Sequence, residues 1–153
     1  MRIRELGLIL LLAAWPFATA DAADGKLVKV LPHFLDLQGR QSLSPSLYER
    51  DAYQSQLRRH PEQVGGLRFN IQWKAAVSDA SKLMLRVEVL GSKGTQGKPL
   101  VIEQAVKPDK WGSTWSAVTL DKETFQKTGE ATAWRVTLWD AGKQLVEQKS
   151  FLW

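Results

Sequence analysis

The chain contains no cysteine. That absence excludes disulfides, thiolate metal ligands, thiol redox pairs, a thiol nucleophile and lipid attachment to an N-terminal cysteine. Histidine is nearly as scarce, with His33 and His60 the only two. Two imidazoles are too few for a three-histidine zinc site, and a mixed site with Asp36 meets no ligand spacing. Neither histidine stands in a G-x-S-x-G or H-E-x-x-H context. The phosphate-cradling pattern G-x-x-x-x-G-K-S/T is also missing; the glycine-rich run Gly91 to Gly97 reads as a hairpin loop, a place where ligand contacts can sit. Carboxylates that could pair for glycoside hydrolysis (Asp36, Glu49, Asp51, Glu88, Glu103, Asp109, Asp140 and Glu147) fall at turns or on polar strand faces. No catalytic residue, metal ligand or cofactor is expected from this inventory.

Blocks of like charge are lacking as well. The densest basic spot is Arg58-Arg59-His60, which reads as a solvated helix end. Nucleic-acid binders cluster Lys and Arg on one face or helix, so no nucleic-acid partner is expected. No apolar run is long enough to cross a bilayer, which takes about twenty residues. There is no internal repeat, low-complexity tract or second domain.

What is there begins with a leader. Met1-Arg2-Ile3-Arg4-Glu5 is a short basic start, and residues 6–17 are apolar apart from Gly7 and Pro16. Ala18-Thr19-Ala20 offers an A-x-A cut site, with Ala22-Ala23 as a second choice. These are the three parts of a secretory signal peptide. The expectation is a signal over residues 1–20, cut as late as 23, followed by a single domain over 24–153 that is periplasmic or secreted and has no membrane span. The chain has 21 basic and 16 acidic residues; Arg2, Arg4 and Glu5 leave with the leader, so the remainder has 19 against 15, a net of +4. At 44% hydrophobic and 24% charged, it has the composition of an ordinary globular domain.

Period-two alternation dominates this domain. Leu67-Arg68-Phe69-Asn70-Ile71-Gln72-Trp73-Lys74-Ala75 is apolar at every odd position and polar at every even one, the pattern of a half-buried strand. Leu83, Leu85, Val87 and Val89 repeat it. Further strands are expected over 26–31, 99–106, 115–120, 133–139 and 144–153, with Pro32 marking an edge strand or a bend, Gln38-Gly39 a turn and Asp140-Ala141-Gly142-Lys143 a hairpin turn. Residues 121–125 read as one helical turn, closed by Thr128-Gly129. One longer helix is expected over about 45–59, started either by Ser44 before Pro45 or by the capping-box pair Ser46 and Glu49, and ended by His60-Pro61. Its approximate apolar stripe is Leu43, Leu47, Tyr48, Ala52, Tyr53 and Leu57. About seven one-face-apolar strands with few helices imply a mainly β fold, an antiparallel β-sandwich with one inserted α-helix.

From Trp115 onward the order is strand, short helical turn, strand with Trp134-Arg135-Val136, and final hairpin. This order resembles the end of an immunoglobulin-like or fibronectin type III-like β-sandwich, with Trp134 where such domains carry the Tyr of a Tyr-x-Cys or Tyr-x-Val signature. The resemblance implies a fold and carries no activity.

Tryptophan is the unusual component: beyond Trp15, the domain keeps Trp73, Trp111, Trp115, Trp134, Trp139 and Trp153. Trp73 and Trp134 share faces with other apolar residues and are expected in the core. Trp139 points away from Trp134, Val136 and Leu138, and Trp111 sits beside Gly112 in a turn, so these two are the candidates for an exposed contact surface. Trp115 and Trp153 fit either role. Tyr48 and Tyr53 on the inserted helix could face a partner, or Tyr53 could cover an open end of the core with Leu47 and Leu57. The terminal Phe151-Leu152-Trp153 does not indicate a membrane barrel, because Glu147 and Lys149 share its face. The expected function is an exported, non-catalytic binding or structural module that meets an envelope or extracellular protein through aromatic side chains. The alternative is a glycan-binding module using exposed tryptophans, and behind both stands a hydrolase with a carboxylate site.

Overall fold

The computed structural model describes residues 24–93, 97–109 and 112–153. The expected leader with its cut sites, and Trp111, lie outside the described residues. In chain order the elements are β1 (Asp24–Asp36), α1 (Leu47–Arg59), β2 (Val64–Ala76), β3 (Leu83–Gly91), β4 (Leu100–Ala105), β5 (Thr114–Leu120), α2 (Lys122–Thr128), β6 (Ala131–Asp140) and β7 (Lys143–Lys149). The strands form two sheets, one of three strands in the order β1-β2-β5 and one of four in the order β4-β3-β6-β7. Every neighbouring pair is antiparallel. The fold is the mainly β antiparallel sandwich that the alternation implies.

Alternation places the core. Leu67, Phe69, Ile71 and Trp73 of β2 point inward against Leu83, Leu85, Val87 and Val89 of β3, with Val118 of β5 and Val136 and Leu138 of β6, and all are buried. Each side chain of this size contributes about 1.5–3 kcal/mol on full burial, and no covalent cross-link assists. Trp73 lies wholly inside and donates Nε1–H to Ser116 Oγ at 2.9 Å, which satisfies its one polar atom. Trp134 spans the layers edge-to-face with Phe69, ring centroids 6.3 Å apart.

Several boundaries differ from expectation. The inserted helix starts at Leu47, because Ser46 is extended (φ −65°, ψ 128°) and its side chain accepts from the Glu49 N–H; the Ser46 cap operates, and Pro45 precedes the helix. β1 is one long strand that continues through Pro32, which its edge position allows. β2 begins earlier than the alternation suggests, at Val64. The last strand ends at Lys149, where Ser150 turns away by bonding the Trp134 carbonyl. Only part of the helical stripe reaches the core: Leu57 is buried and Tyr53 half-buried, while Leu47 and Tyr48 face outward. The β6–β7 hairpin turns on Ala141 (φ 47°) and Gly142 (φ 82°), both left-handed, the geometry that matches strand twist in a two-residue turn.

Candidate functional site

The sandwich has two outer faces, and their electrostatics are opposite in kind. On the four-stranded sheet the arginines have carboxylate partners. Arg135 reaches Glu88 with both Nε and Nη2, at 2.7 and 2.8 Å, and its guanidinium lies 5.0 Å from the Trp153 ring centre. Arg86 meets Glu103 at 2.7 Å and covers the Trp139 ring at 4.6 Å. Trp139 does face away from the core, as its parity requires. It is half-buried beneath Arg86 and donates Nε1–H to Thr137 Oγ1 at 2.7 Å, so its ring and its donor are both engaged. Glu88 is 7% exposed, and the bidentate bond offsets the cost of burying that charge.

The inserted helix divides its two tyrosines. Tyr48 is 83% exposed in the first turn of α1. Tyr53 is half-buried and donates to Asp36 Oδ2 at 2.7 Å. Asp36 also accepts from the N–H groups of Gln38 and Arg40 and from Arg40 Nε. Burial pushes the Asp36 carboxyl up, and these donors outweigh it and hold the group at about 2. One residue further, Gln54 clips onto β1. Its Oε1 accepts the Phe34 N–H at 2.7 Å, and its Nε2 donates to the carbonyls of Phe34 and Gln41 at 2.9 and 2.8 Å. The amide side chain acts there as a fragment of an extra strand. Beside it, Arg58 bridges to Glu130 at 3.0 Å across a cleft of about 390 Å³ that has Phe34 and Trp134 in its walls.

The outer face of the three-stranded sheet is basic. Register aligns Lys26 with Lys74, Lys29 with Gln72, Leu31 with Asn70 and His33 with Arg68, then Arg68 with Thr119, Asn70 with Ala117 and Gln72 with Trp115. Alternation turns these side chains outward. The only carboxylate carried by the strands on this face is Asp24, at its far end. Lys26, Lys29, Arg68 and Lys74 form no ion pair among the described residues. Arg68 Nε is buried with no hydrogen-bond partner among them. Asn70 is tied to His33 Nδ1 and Gln41 Oε1, and Gln72 to Ser113 Oγ. Burial first, then Arg50, lowers the His33 pKa, which favours the neutral ring. Trp115 stands at this face's β5 border, 51% exposed.

The four edge strands are also unequal. An edge strand is a template for pairing with another chain unless it is blunted by charge, proline, a bulge or a cover. β1 carries Lys26, Lys29, Pro32, a register shift at Val28 and the Gln54 clip. β4 is only six residues long and carries Glu103. β7 has Lys143, Glu147 and Lys149, with a register shift against β6. β5 reads Thr-Trp-Ser-Ala-Val-Thr-Leu, without charge or proline, in unbroken register with β2 from Thr114 to Leu120. Among the described residues it has no strand partner but β2.

Of the four aromatic residues singled out in the sequence, the structure therefore leaves Tyr48 outermost, half-buries Tyr53 and Trp139 in internal contacts, and does not bring them together; Trp111 lies outside the described residues. The aromatic residue at the open edge is Trp115. Its signal was the inward parity of Val118 and Leu120, which sets odd positions of β5 outward. Among the described residues no group of three or more His, Asp or Glu side chains could hold a metal ion. Compared with family models, curated proteins and solved structures, the chain matches none.

Proposed function

We propose that this chain is an exported, periplasmic or secreted, non-catalytic binding module that captures an extended segment of a protein partner by adding it as a strand to β5. One observation carries the reading: among the described residues, β5 is the one edge strand with neither charge nor proline nor register shift, and it has no strand partner but β2. An added strand gains main-chain hydrogen bonds for affinity and side-chain neighbours for selectivity. Trp115 supplies a large apolar contact at that edge, of the kind that anchors protein interfaces. The scaffold reading is immunoglobulin-like: the order β1-β2-β5 facing β4-β3-β6-β7, with a helical turn between β5 and β6, supports it.

Amide exchange tests the proposal. A seven-residue probe peptide, Gln-Thr-Thr-Thr-Val-Thr-Gln, should slow exchange in β5 and leave the edges of β1, β4 and β7 unchanged. Ala117→Lys, an exposed site at the strand's centre, should weaken the peptide several-fold while the protein stays folded. Unaltered exchange in β5 at saturating peptide would refute strand addition.

A second reading, a glycan-binding module, rests on the exposed Trp115 ring beside Gln72. It requires glycan retention that Trp115→Ala abolishes and Ala117→Lys spares.

A further inference from the structure

We infer that the strand received by β5 is acidic, with carboxylates at two positions six residues apart that flank an apolar residue. The inference rests on strand addition as the mode of binding and names the chemistry of the partner. An antiparallel strand beside β5 would lie about 10 Å from β2, two strand spacings away. Its outward side chains would meet Thr119, Ala117, Trp115 and the Ser113 level in turn. Behind Thr119 in the ladder stands Arg68, and behind Ala117 stands Asn70. Thr119 and Ala117 are small, so on the β5 side no side chain larger than a threonine stands in the ladder between an incoming side chain and Arg68. At the other end, Lys74 lies one step beyond the Trp73–Thr114 pair, at the level of Ser113. Between the two cations, Trp115 offers its ring to an apolar side chain. The favoured sequence on the incoming strand's outer face is therefore acidic, small, apolar, acidic, at alternate residues.

Two observations select carboxylates over neutral groups. The strands of this face carry Lys26, Lys29, Arg68 and Lys74 against Asp24 at the far end, with Arg50 and Asp51 of α1 both acting on His33 beside Arg68, whereas Arg86 and Arg135 on the opposite face are paired with Glu103 and Glu88. Arg68 Nε has no acceptor among the described residues, so the guanidinium's charge is not neutralised inside the domain. A second copy of this chain is the wrong occupant, because pairing β5 with itself sets two basic faces side by side, and like charges across an interface are unfavourable.

The test uses two labelled peptides, Glu-Thr-Thr-Thr-Val-Thr-Glu and its counterpart with glutamine at both ends, with binding read by fluorescence anisotropy. The glutamate peptide should bind about tenfold tighter at low salt, the combined effect of two solvent-screened charge contacts. The preference should fade in 1 M salt, where the screening length is about 3 Å. Arg68→Gln should reduce the preference and leave the glutamine peptide's affinity unchanged. Lys74→Gln, at an exposed position, repeats the test without burial effects. Equal binding of the two peptides would overturn the acidic specificity and leave strand addition standing. Binding of neither would overturn both. Heparin binding with no peptide binding would reassign the face to an anionic glycan. A dimer in sedimentation that Ala117→Lys dissolves would reassign it to a second copy.

Discussion

Acid should unhook the segment that joins β1 to α1, and Asp36 sets the pH at which it does so. This carboxylate is 4% exposed and accepts from four donors: Gln38 N–H and Arg40 N–H at 2.9 Å each, Arg40 Nε at 2.8 Å and the Tyr53 hydroxyl at 2.7 Å. Burial alone would raise its pKa; the donors reverse that and bring it from 3.8 to about 2. A folded value below the unfolded one means that the native state holds its charge better than the denatured state. The difference is worth about 2 kcal/mol, fully present above about pH 5 and lost as pH falls towards 2. Urea unfolding of the protein and of Asp36→Asn isolates the effect, because every other titrating carboxylate cancels between them. The stability gap should be about 2 kcal/mol or more at neutral pH, since the amide presents a donor where four donors converge. It should shrink by about 2 kcal/mol near pH 2. A gap that stays constant over that range would refute the assignment of these donors to a charged Asp36.

Two further outcomes test the packing around the site. Gln54→Leu removes three hydrogen bonds to main-chain groups of Phe34 and Gln41; it should cost about 2–3 kcal/mol and speed exchange of the Phe34 amide, and unaltered exchange there would show that the clip does not hold the edge. Glu88→Gln leaves Arg135 with one good acceptor in place of a bidentate carboxylate; thermal melting should show a loss of about 1–3 kcal/mol, and Trp153 emission should change as its stacked guanidinium loosens, an effect absent if the pair is a passive surface contact.

The sandwich was legible because its strongest strands are half-buried. β2, β3 and β6 each alternate, and alternation reports face without knowledge of neighbours. Interactions between distant residues were not legible. Tyr53 and Asp36 are seventeen residues apart, and nothing in the helical stripe distinguishes a tyrosine that caps a buried carboxylate from one that faces solvent. The outward parity of Trp139 was readable, but its cover was not: Arg86 comes from β3, where it stands opposite Thr137 and diagonal to Trp139 only once β3 and β6 pair. Gln54 offered no hydrophobic signal at all; its role exists because the helix lies beside an edge strand that needs two backbone groups satisfied. The exposure of β5 is likewise a property of strand order. Seven residues between Thr114 and Leu120 read alike whether they sit at an edge or in the middle of a sheet.

An uncharged edge strand is ordinarily a hazard, since it can template pairing with its own copies. Here the protection lies one strand away. Arg68 and Lys74 stand on β2 behind the small and aromatic side chains of β5, whose outer edge pairs with no other strand among the described residues. Their field acts in opposite directions on the two classes of incoming strand. It opposes a second copy, which brings the same cations, and it attracts a strand whose side chains are acidic. Charge placed directly on β5 would have repelled one class and also crowded the other. Charge set back on β2 would separate a second copy from the proposed acidic strand without obstructing the hydrogen-bonding edge, which is the physical reason for reading the bare edge and the basic face as one site.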